Sequence, residues 1–174
     1  SLPFDLVTAV TSLQGNVYVG MDGGGMRVIS AKTHAVTTTY TSANSQLWGD
    51  NVVSMTSDGN DVWMAVYDKG LTRYDTRAHT FVNYKIPLYS KRGDIIWTLC
   101  DSRDGNLWVG GRDVLVLNKR NGKFYPVRGL IGSKCQSMSQ RGKYVWIGTI
   151  NGVYKVDKDT KRVVRHYSQT TKGM

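Results

Sequence analysis

Glutamate is absent from this chain of 174 residues, so all 13 acidic residues are aspartates. Its absence removes a favoured helix former. The chain has 19 glycines, 10 tyrosines and 5 tryptophans, and it is rich in Val and Thr. Asp and Gly make tight turns, whereas β-branched and aromatic residues fill pleated sheets. This composition therefore favours an all-β fold.

Cysteine is scarce, and the two that occur, Cys100 and Cys135, exclude a disulfide framework and a Cys-x-x-Cys metal site. We expect both to be free thiols in or beside the core. Apolar runs are far shorter than the roughly 18–20 residues of a membrane helix, so we predict no membrane insertion by this segment. The stretch 1–7 lacks the charged head and apolar core of a signal peptide, which places any export signal outside this chain.

Basic residues outnumber acidic ones, and the formal net charge is +10. They are scattered, and the densest runs are pairs such as Lys119-Arg120. A protein that binds nucleic acid more often clusters its basic residues in a stripe, so we predict no nucleic-acid partner. The charge indicates a solvated surface, with an anionic partner such as an acidic sugar as the alternative.

A short motif occurs four times. The copies are "GNVYVG" at 15–20, "NDVWMA" at 60–65, "GNLWVGG" at 105–111 and "YVWIGT" at 144–149. Their central aromatic residues are Tyr18, Trp63, Trp108 and Trp146. The steps between them are 45, 45 and 38 residues, and a period near 40–45 is typical of four-stranded propeller blades. We interpret the four aromatic residues as the structural core of the repeat.

The flanking segments keep the same register and predict three further strands in each repeat. The third strand of each copy ends on a small polar residue, namely Ser30, Asp75, Asn118 and Asp157, whose side chain can begin a turn. The predicted blades span approximately 5–45, 50–87, 94–128 and 134–168. The fold class is therefore an all-β β-propeller with four four-stranded antiparallel blades, and residues 1–174 form one domain.

The first and last blades of an open array would expose large apolar faces. We therefore expect the chain to be a fragment of a larger propeller that either closes on itself or pairs with another copy, with the remaining blades of the parent protein as further partners.

Two segments carry a family resemblance. They are "VVSMTSDGNDVWMAVYDKGLTRYDTRAHTFVNY" at 52–84 and "IIWTLCDSRDGNLWVGGRDVLVLNKRNGKFY" at 95–125. Both resemble two-component regulator propeller repeats, with Asp-Gly-Asn before an aliphatic-Trp-aliphatic core. The resemblance implies a seven-bladed type of propeller in the periplasmic sensor region of a hybrid two-component histidine kinase. It further implies a module without catalysis that responds to carbohydrate ligands.

The loops between blades, at 41–51, 86–94 and 128–134, differ from one another although the strands are alike. Divergent loops on a repeated scaffold are where function usually lies. Together with the turns between second and third strands they supply the candidate ligand-binding residues Trp48, Asp50, Asp68, Tyr89, Arg92, Arg112 and Asp113. An aromatic ring can stack on a sugar, and the charged groups can bond hydroxyls or carboxylates. The alternative for Trp48 is that it fills space between the first two blades.

Other motifs give weaker signals. "GMDGGGM" at 20–26 lacks the following helix of a phosphate loop, and "DSRDGN" at 101–106 lacks the distal Glu of a calcium loop. The register places no nucleophile beside a histidine, so we predict no catalytic residue, metal or cofactor. Two alternatives stay open: a scaffold that binds only proteins, and a propeller lyase or hydrolase whose catalytic groups converge from several blades.

Overall fold

The structure is a computed structural model that describes residues 6–90 and 95–169. Every regular element in these ranges is a strand. The strands are β1 (Val7–Leu13), β2 (Asn16–Met21), β3 (Gly25–Ser30), β4 (Val36–Tyr40), β5 (Val52–Asp58), β6 (Asp61–Val66), β7 (Gly70–Asp75), β8 (Thr80–Tyr84), β9 (Ile96–Asp101), β10 (Asn106–Gly111), β11 (Val114–Asn118), β12 (Lys123–Pro126), β13 (Cys135–Arg141), β14 (Tyr144–Thr149), β15 (Gly152–Asp157) and β16 (Arg162–Tyr167). Within the same ranges there is no helix long and apolar enough to cross a bilayer.

The strands form four antiparallel sheets, each an up-and-down meander of four consecutive strands. This order, with each strand hydrogen-bonded to the next along the chain, is that of a propeller blade. The all-β prediction of four four-stranded antiparallel blades is confirmed. The single-domain interpretation of residues 1–174 stays a prediction.

Contacts divide the chain into two compact units, Ser1–Lys85 (unit 1) and Ile86–Met174 (unit 2). The core of unit 1 lies between its two sheets and includes Tyr18, Val28, Val62 and Tyr74. The core of unit 2 likewise lies between two sheets and includes Trp108, Val116, Val145 and Val156. In each unit the alternating side chains of one sheet therefore pack on the facing side of the next.

The repeated aromatic residues lie in the second strand of each sheet. Tyr18, Trp63 and Trp108 are at most 3% exposed, whereas Trp146 is half-buried and stacks on Tyr167 at 5.9 Å between ring centroids. Burial of this kind makes the aromatic side chains packing residues of the blades.

The turns between third and fourth strands share one conformation in all four sheets. The side chains of the strand-ending residues accept backbone N–H bonds: Thr33 to Ser30, Arg77 and Ala78 to Asp75, Arg120 and Asn121 to Asn118, and Asp159 and Thr160 to Asp157. Four residues after each start the backbone has a positive φ, at His34, His79, Gly122 and Lys161. These side chains begin the turns as the register predicts, because each satisfies amides that the turned backbone leaves without a sheet partner.

Candidate functional site

In unit 1 the loop between the two blades lies against the turns that join second to third strands. The Gly25 amide donates to the Asp50 carbonyl at 2.8 Å, and the Tyr67 amide donates to the Asn51 carbonyl at 2.9 Å. A Cβ on Gly49 would lie 3.3 Å from Lys69 Cγ. The structure thus brings the loop of Trp48 and Asp50 onto the turn that contains Asp68.

The three candidates in this loop cluster differ in exposure and bonding. Trp48 is half-buried, and Leu47 beside it is buried. The Asp50 carboxylate accepts the Ser42 amide at 2.7 Å and the Ser42 hydroxyl at 3.0 Å. Asp68 is exposed in a turn with positive φ. Asp50 therefore closes its own loop, while Asp68 and part of the Trp48 ring face solvent.

In unit 2 the buried carboxylate of Asp113 holds two loops. It accepts the Ser90 amide at 3.0 Å and the Gly132 amide at 2.7 Å, and Asp113 is 4% exposed. The Lys134 amide adds a bond to the Arg112 carbonyl at 3.1 Å. Because both carboxylate oxygens are engaged by backbone amides, the structure gives Asp113 an architectural role.

The neighbouring candidates are more available. Tyr89 is 43% exposed and precedes Ser90, whose amide Asp113 binds. Arg112 is half-buried, and within the described ranges its buried Nε has no hydrogen-bond partner. A buried N–H without a partner is costly. Because this Nε is enclosed by the protein, only the rest of the half-buried Arg112 side chain is open to a ligand. Arg92 lies outside the described residues.

A cavity of about 790 Å³ opens at the end of the fourth sheet, and the sequence prediction missed it. Its lining residues come from the turn after β14 and the end of β16: Ile150, Asn151, Gly152, Val153, Tyr167, Ser168 and Gln169. The hint in the sequence is that an apolar residue, Ile150, stands at the first position of this turn. In the structure its side chain is 57% exposed. Tyr67 occupies the same position of the second sheet and is 48% exposed.

The walls of the cavity are held by local bonds. The Asn151 amide donates to Thr149 Oγ1 at 3.1 Å, and Thr149 Oγ1 donates to the Gly152 carbonyl at 3.0 Å. His166 Nε2 lies 2.8 Å from the Asn151 carbonyl. The cavity therefore combines Tyr167, whose ring also stacks on Trp146 and lies 4.9 Å from Arg165 Cζ, with amide and hydroxyl side chains on an ordered turn. This combination suits a neutral, polyhydroxylated ligand.

The two cysteine thiols within the described residues are poor nucleophiles. Cys100 and Cys135 are free thiols. Burial raises the pKa of Cys100 to about 11 and that of Cys135 to about 12. Both are therefore protonated at neutral pH, and a protonated thiol is a weak nucleophile.

The predicted turn at 101–106 is held by its own side chains. Asp101 Oδ1 lies 3.0 Å from Lys119 Nζ, and Asp104 Oδ1 accepts the Ser102 hydroxyl at 2.5 Å and the Asn106 amide at 3.1 Å. Across residues 6–90 and 95–169 no group of three or more His, Cys or Asp side chains is arranged to hold a metal ion.

Comparison with known proteins identifies the repeat. Residues 90–113 match the model of the two-component regulator propeller family. No curated protein sequence matches the chain.

Several solved structures share the fold. The extracellular domain of the hybrid two component system BT4673 from B. thetaiotaomicron is 18% identical with a TM-score of 0.82, covering 98% of this chain and 24% of that one. The extracellular domain of BT3049, from the same organism, is 19% identical with a TM-score of 0.71, covering 95% and 25%. The computationally designed Ika4 protein is 15% identical with a TM-score of 0.71, covering 90% and 95%.

The chain thus spans about a quarter of the length of the two B. thetaiotaomicron domains. Sequence identities below 20% show that the fold is shared and show nothing about ligand or activity. Together, the sheets, the matched repeat and the structural likeness show a β-propeller chain that carries a two-component regulator propeller repeat.

Proposed function

We propose that this chain is a ligand-binding sensor module of a two-component signalling protein, without catalysis of its own, and that its ligand is an oligosaccharide. The observation that carries the proposal is the cavity of about 790 Å³ with Tyr167 in its wall. It lies among loops and turns at one end of a blade, where a repeated scaffold places its specificity.

The chemistry of the lining supports a sugar. A pyranose ring presents an apolar C–H face and a rim of hydroxyls. Ile150, Val153 and the part of Tyr167 that lines the cavity offer apolar surface for the first, while Asn151 and Gln169 offer donors and acceptors for the second. Tyr89 and Arg112 are further proposed contacts on the loops of unit 2, and Asp68 is a separate one on the loops of unit 1.

Extracytoplasmic location and signalling are part of the same proposal. The B. thetaiotaomicron structures with this fold are extracellular domains of hybrid two component systems. The thiols of Cys100 and Cys135 are protonated, and the carboxylate of Asp113 is already bonded to backbone amides. Both observations support a role in binding rather than in catalysis. A ligand that bridges the turn after β14 and the end of β16 would stiffen the last blade and favour one arrangement of adjoining domains.

A thermal-shift screen with neutral oligosaccharides tests the proposal. A ligand at about 100 times its Kd stabilises the folded state by about 2.7 kcal/mol, which is readily detected. The variant Asn151→Ala with Gln169→Ala should reduce the shift at fixed ligand concentration. Gln136→Ala, an exposed amide on β13, is the matched control.

Two outcomes would contradict the proposal. If no glycan shifts the melting temperature, the scaffold alternative gains support, and turnover of any glycan during the screen would favour a propeller lyase or hydrolase. The predicted packing against further blades or a second copy is tested separately by light scattering, in which a compact monomer would contradict association.

A further inference from the structure

A second concave site lies within unit 2, between β12 and the turn that joins β15 to β16. It is a groove of about 430 Å³ lined by Tyr125, Pro126, Arg128, Thr160, Lys161 and Arg162. Three of the six side chains are cationic and none is acidic. We call this site the basic groove.

Aromatic rings stand at the corresponding register positions of unit 1. The ring centroids of Tyr40 and Tyr74 are 5.1 Å apart, and those of Tyr74 and Phe81 are 4.8 Å apart. Tyr74 Oη lies 2.8 Å from Tyr40 Oη and 2.8 Å from His79 Nδ1. A continuous chain of hydrogen bonds thus closes the space between the two sheets.

In unit 2 the register replaces these rings by valines. Val156 pairs with Val145 and Val163 as Tyr74 pairs with Val62 and Phe81. The Val127 amide donates to the Val114 carbonyl at 3.0 Å, where in unit 1 Tyr40 pairs with Met26. Val127 and Val156 are fully buried in the core of unit 2, so the walls of the groove come from residues that flank Val127 and Val163 along the chain.

The turn that contributes Lys161 to the groove has an equivalent in unit 1. Lys161 has φ 57° and His79 has φ 56°, so the two residues occupy the same position of equivalent turns. His79 contacts Tyr74, whereas the residue at the Tyr74 position in unit 2 is Val156, which offers Lys161 no hydroxyl. Within the described residues, Arg128, Lys161 and Arg162 form no ion pair.

The nearest carboxylate of the turn is already engaged. Asp157 Oδ1 accepts the amides of Asp159 and Thr160 and the Thr160 hydroxyl at 2.9–3.1 Å. These bonds, led by the Thr160 amide, lower the pKa of Asp157. Asp159 is exposed and does not line the groove. The three cations are therefore left for an external anion.

We propose that the basic groove binds an anionic saccharide, in which a carboxylate or sulfate group meets the cations and the sugar ring lies against Tyr125. Guanidinium groups bind carboxylates and sulfates through paired N–H bonds. Tyr125 is 41% exposed, and Asn121 Nδ2 lies 3.4 Å from its hydroxyl. A volume of about 430 Å³ is sufficient for a sugar ring and lies within the range of small-ligand sites.

This site differs from the cavity of the proposed function in position and in ligand charge, so either can exist without the other. One concave space with a single exposed ring suits one charged sugar. An extended nucleic acid would need a row of cations and stacking rings instead. The formal net charge of +10 adds a long-range attraction for any anionic ligand.

Isothermal titration calorimetry with trigalacturonate, and with galactotriose as its neutral counterpart, tests the proposal. We expect trigalacturonate to bind and galactotriose not to bind this site. The variant Arg128→Gln with Arg162→Gln should weaken binding at least tenfold. The control Arg77→Gln with Arg120→Gln removes the same charge from exposed turn positions outside the groove and should change affinity less than twofold.

Equal losses of trigalacturonate affinity in the two double variants would overturn the site, because such a result would mean that binding depends only on the overall charge of the protein. Absence of trigalacturonate binding at millimolar concentration would also overturn it. If inorganic sulfate, a single-stranded oligonucleotide or vesicles containing anionic lipid bind this groove as tightly, the saccharide assignment is wrong. Arg128→Gln with Arg162→Gln should leave the thermal shift by a neutral oligosaccharide unchanged, which separates this test from that of the proposed function.

Discussion

Gly110 occupies a position in β10 where the structure leaves little room for a side chain. A Cβ there would lie 2.5 Å from Met138 Cε, 2.6 Å from Thr98 Cγ2 and 2.7 Å from Cys135 Sγ. Such distances are shorter than van der Waals contact, so Gly110→Ala must displace atoms of both sheets of unit 2. The equivalent residue of the second sheet is Ala65, which is fully buried.

The size of the effect follows from two opposing terms. Replacing Gly by Ala restricts the unfolded chain and stabilises by about 0.4–1 kcal/mol where the site accepts it. Overpacking a core costs about 1–3 kcal/mol, and three simultaneous short contacts place Gly110→Ala toward the upper end. We therefore expect a net destabilisation of about 2 kcal/mol, which lowers Tm by about 4–8 °C in a chain of this size.

Urea unfolding followed by circular dichroism measures this change. Thr98→Ser removes the Cγ2 atom that faces the new methyl group, so it should restore part of the stability in the Gly110→Ala background. Ala65→Gly is the reciprocal variant and should destabilise by about 1 kcal/mol, because it frees the unfolded backbone and removes a buried methyl group. If Gly110→Ala is as stable as the wild type, or Thr98→Ser restores nothing, the close packing at Gly110 is wrong.

Two further predictions concern buried polar groups. Because burial raises the thiol pKa values of Cys100 and Cys135 to about 11 and about 12, iodoacetamide at pH 8 should modify them far more slowly in the folded protein than in concentrated urea. By the same shift, their contribution to stability is present below about pH 9 and is lost as pH rises through the folded pKa values. Equal modification rates, followed by mass spectrometry, would contradict this. Asp113→Ala should destabilise by about 1–3 kcal/mol because the amides of Ser90 and Gly132 lose an acceptor that holds two loops, whereas exposed Asp159→Ala should stay within about 0.5 kcal/mol. Similar unfolding midpoints for the two variants would refute the architectural role of Asp113.

The strand register could be predicted because each blade repeats the same local pattern. Alternating apolar residues place side chains on one face or the other, and the small polar residues that end the third strands satisfy amides only two or three positions away. Asp75 and Asp157 illustrate this, since their partners lie in their own turns. Interactions of such short range leave a direct trace in the sequence.

The sites depend on contacts between distant segments, and the sequence does not show those contacts. The position of Asp113 in a turn makes it a candidate ligand-binding residue. Its carboxylate oxygens nevertheless accept hydrogen bonds from the amides of Ser90 and Gly132, which are 23 and 19 residues away. The cavity beside Tyr167 forms where the turn after β14 meets the end of β16. No motif marks either meeting point.

The sequence by itself determined the sixteen strands, their grouping into four sheets and the residues that begin the turns, because these follow from the order of apolar, polar and glycine residues along short stretches. Tertiary structure alone decided where space remains between sheets. The basic groove of unit 2 is lined by Tyr125, Pro126 and Arg128 at the end of one sheet and by Thr160, Lys161 and Arg162 from a turn of the next. The reason is that a cavity reflects the summed volumes of side chains from several strands, and no single segment contains that sum.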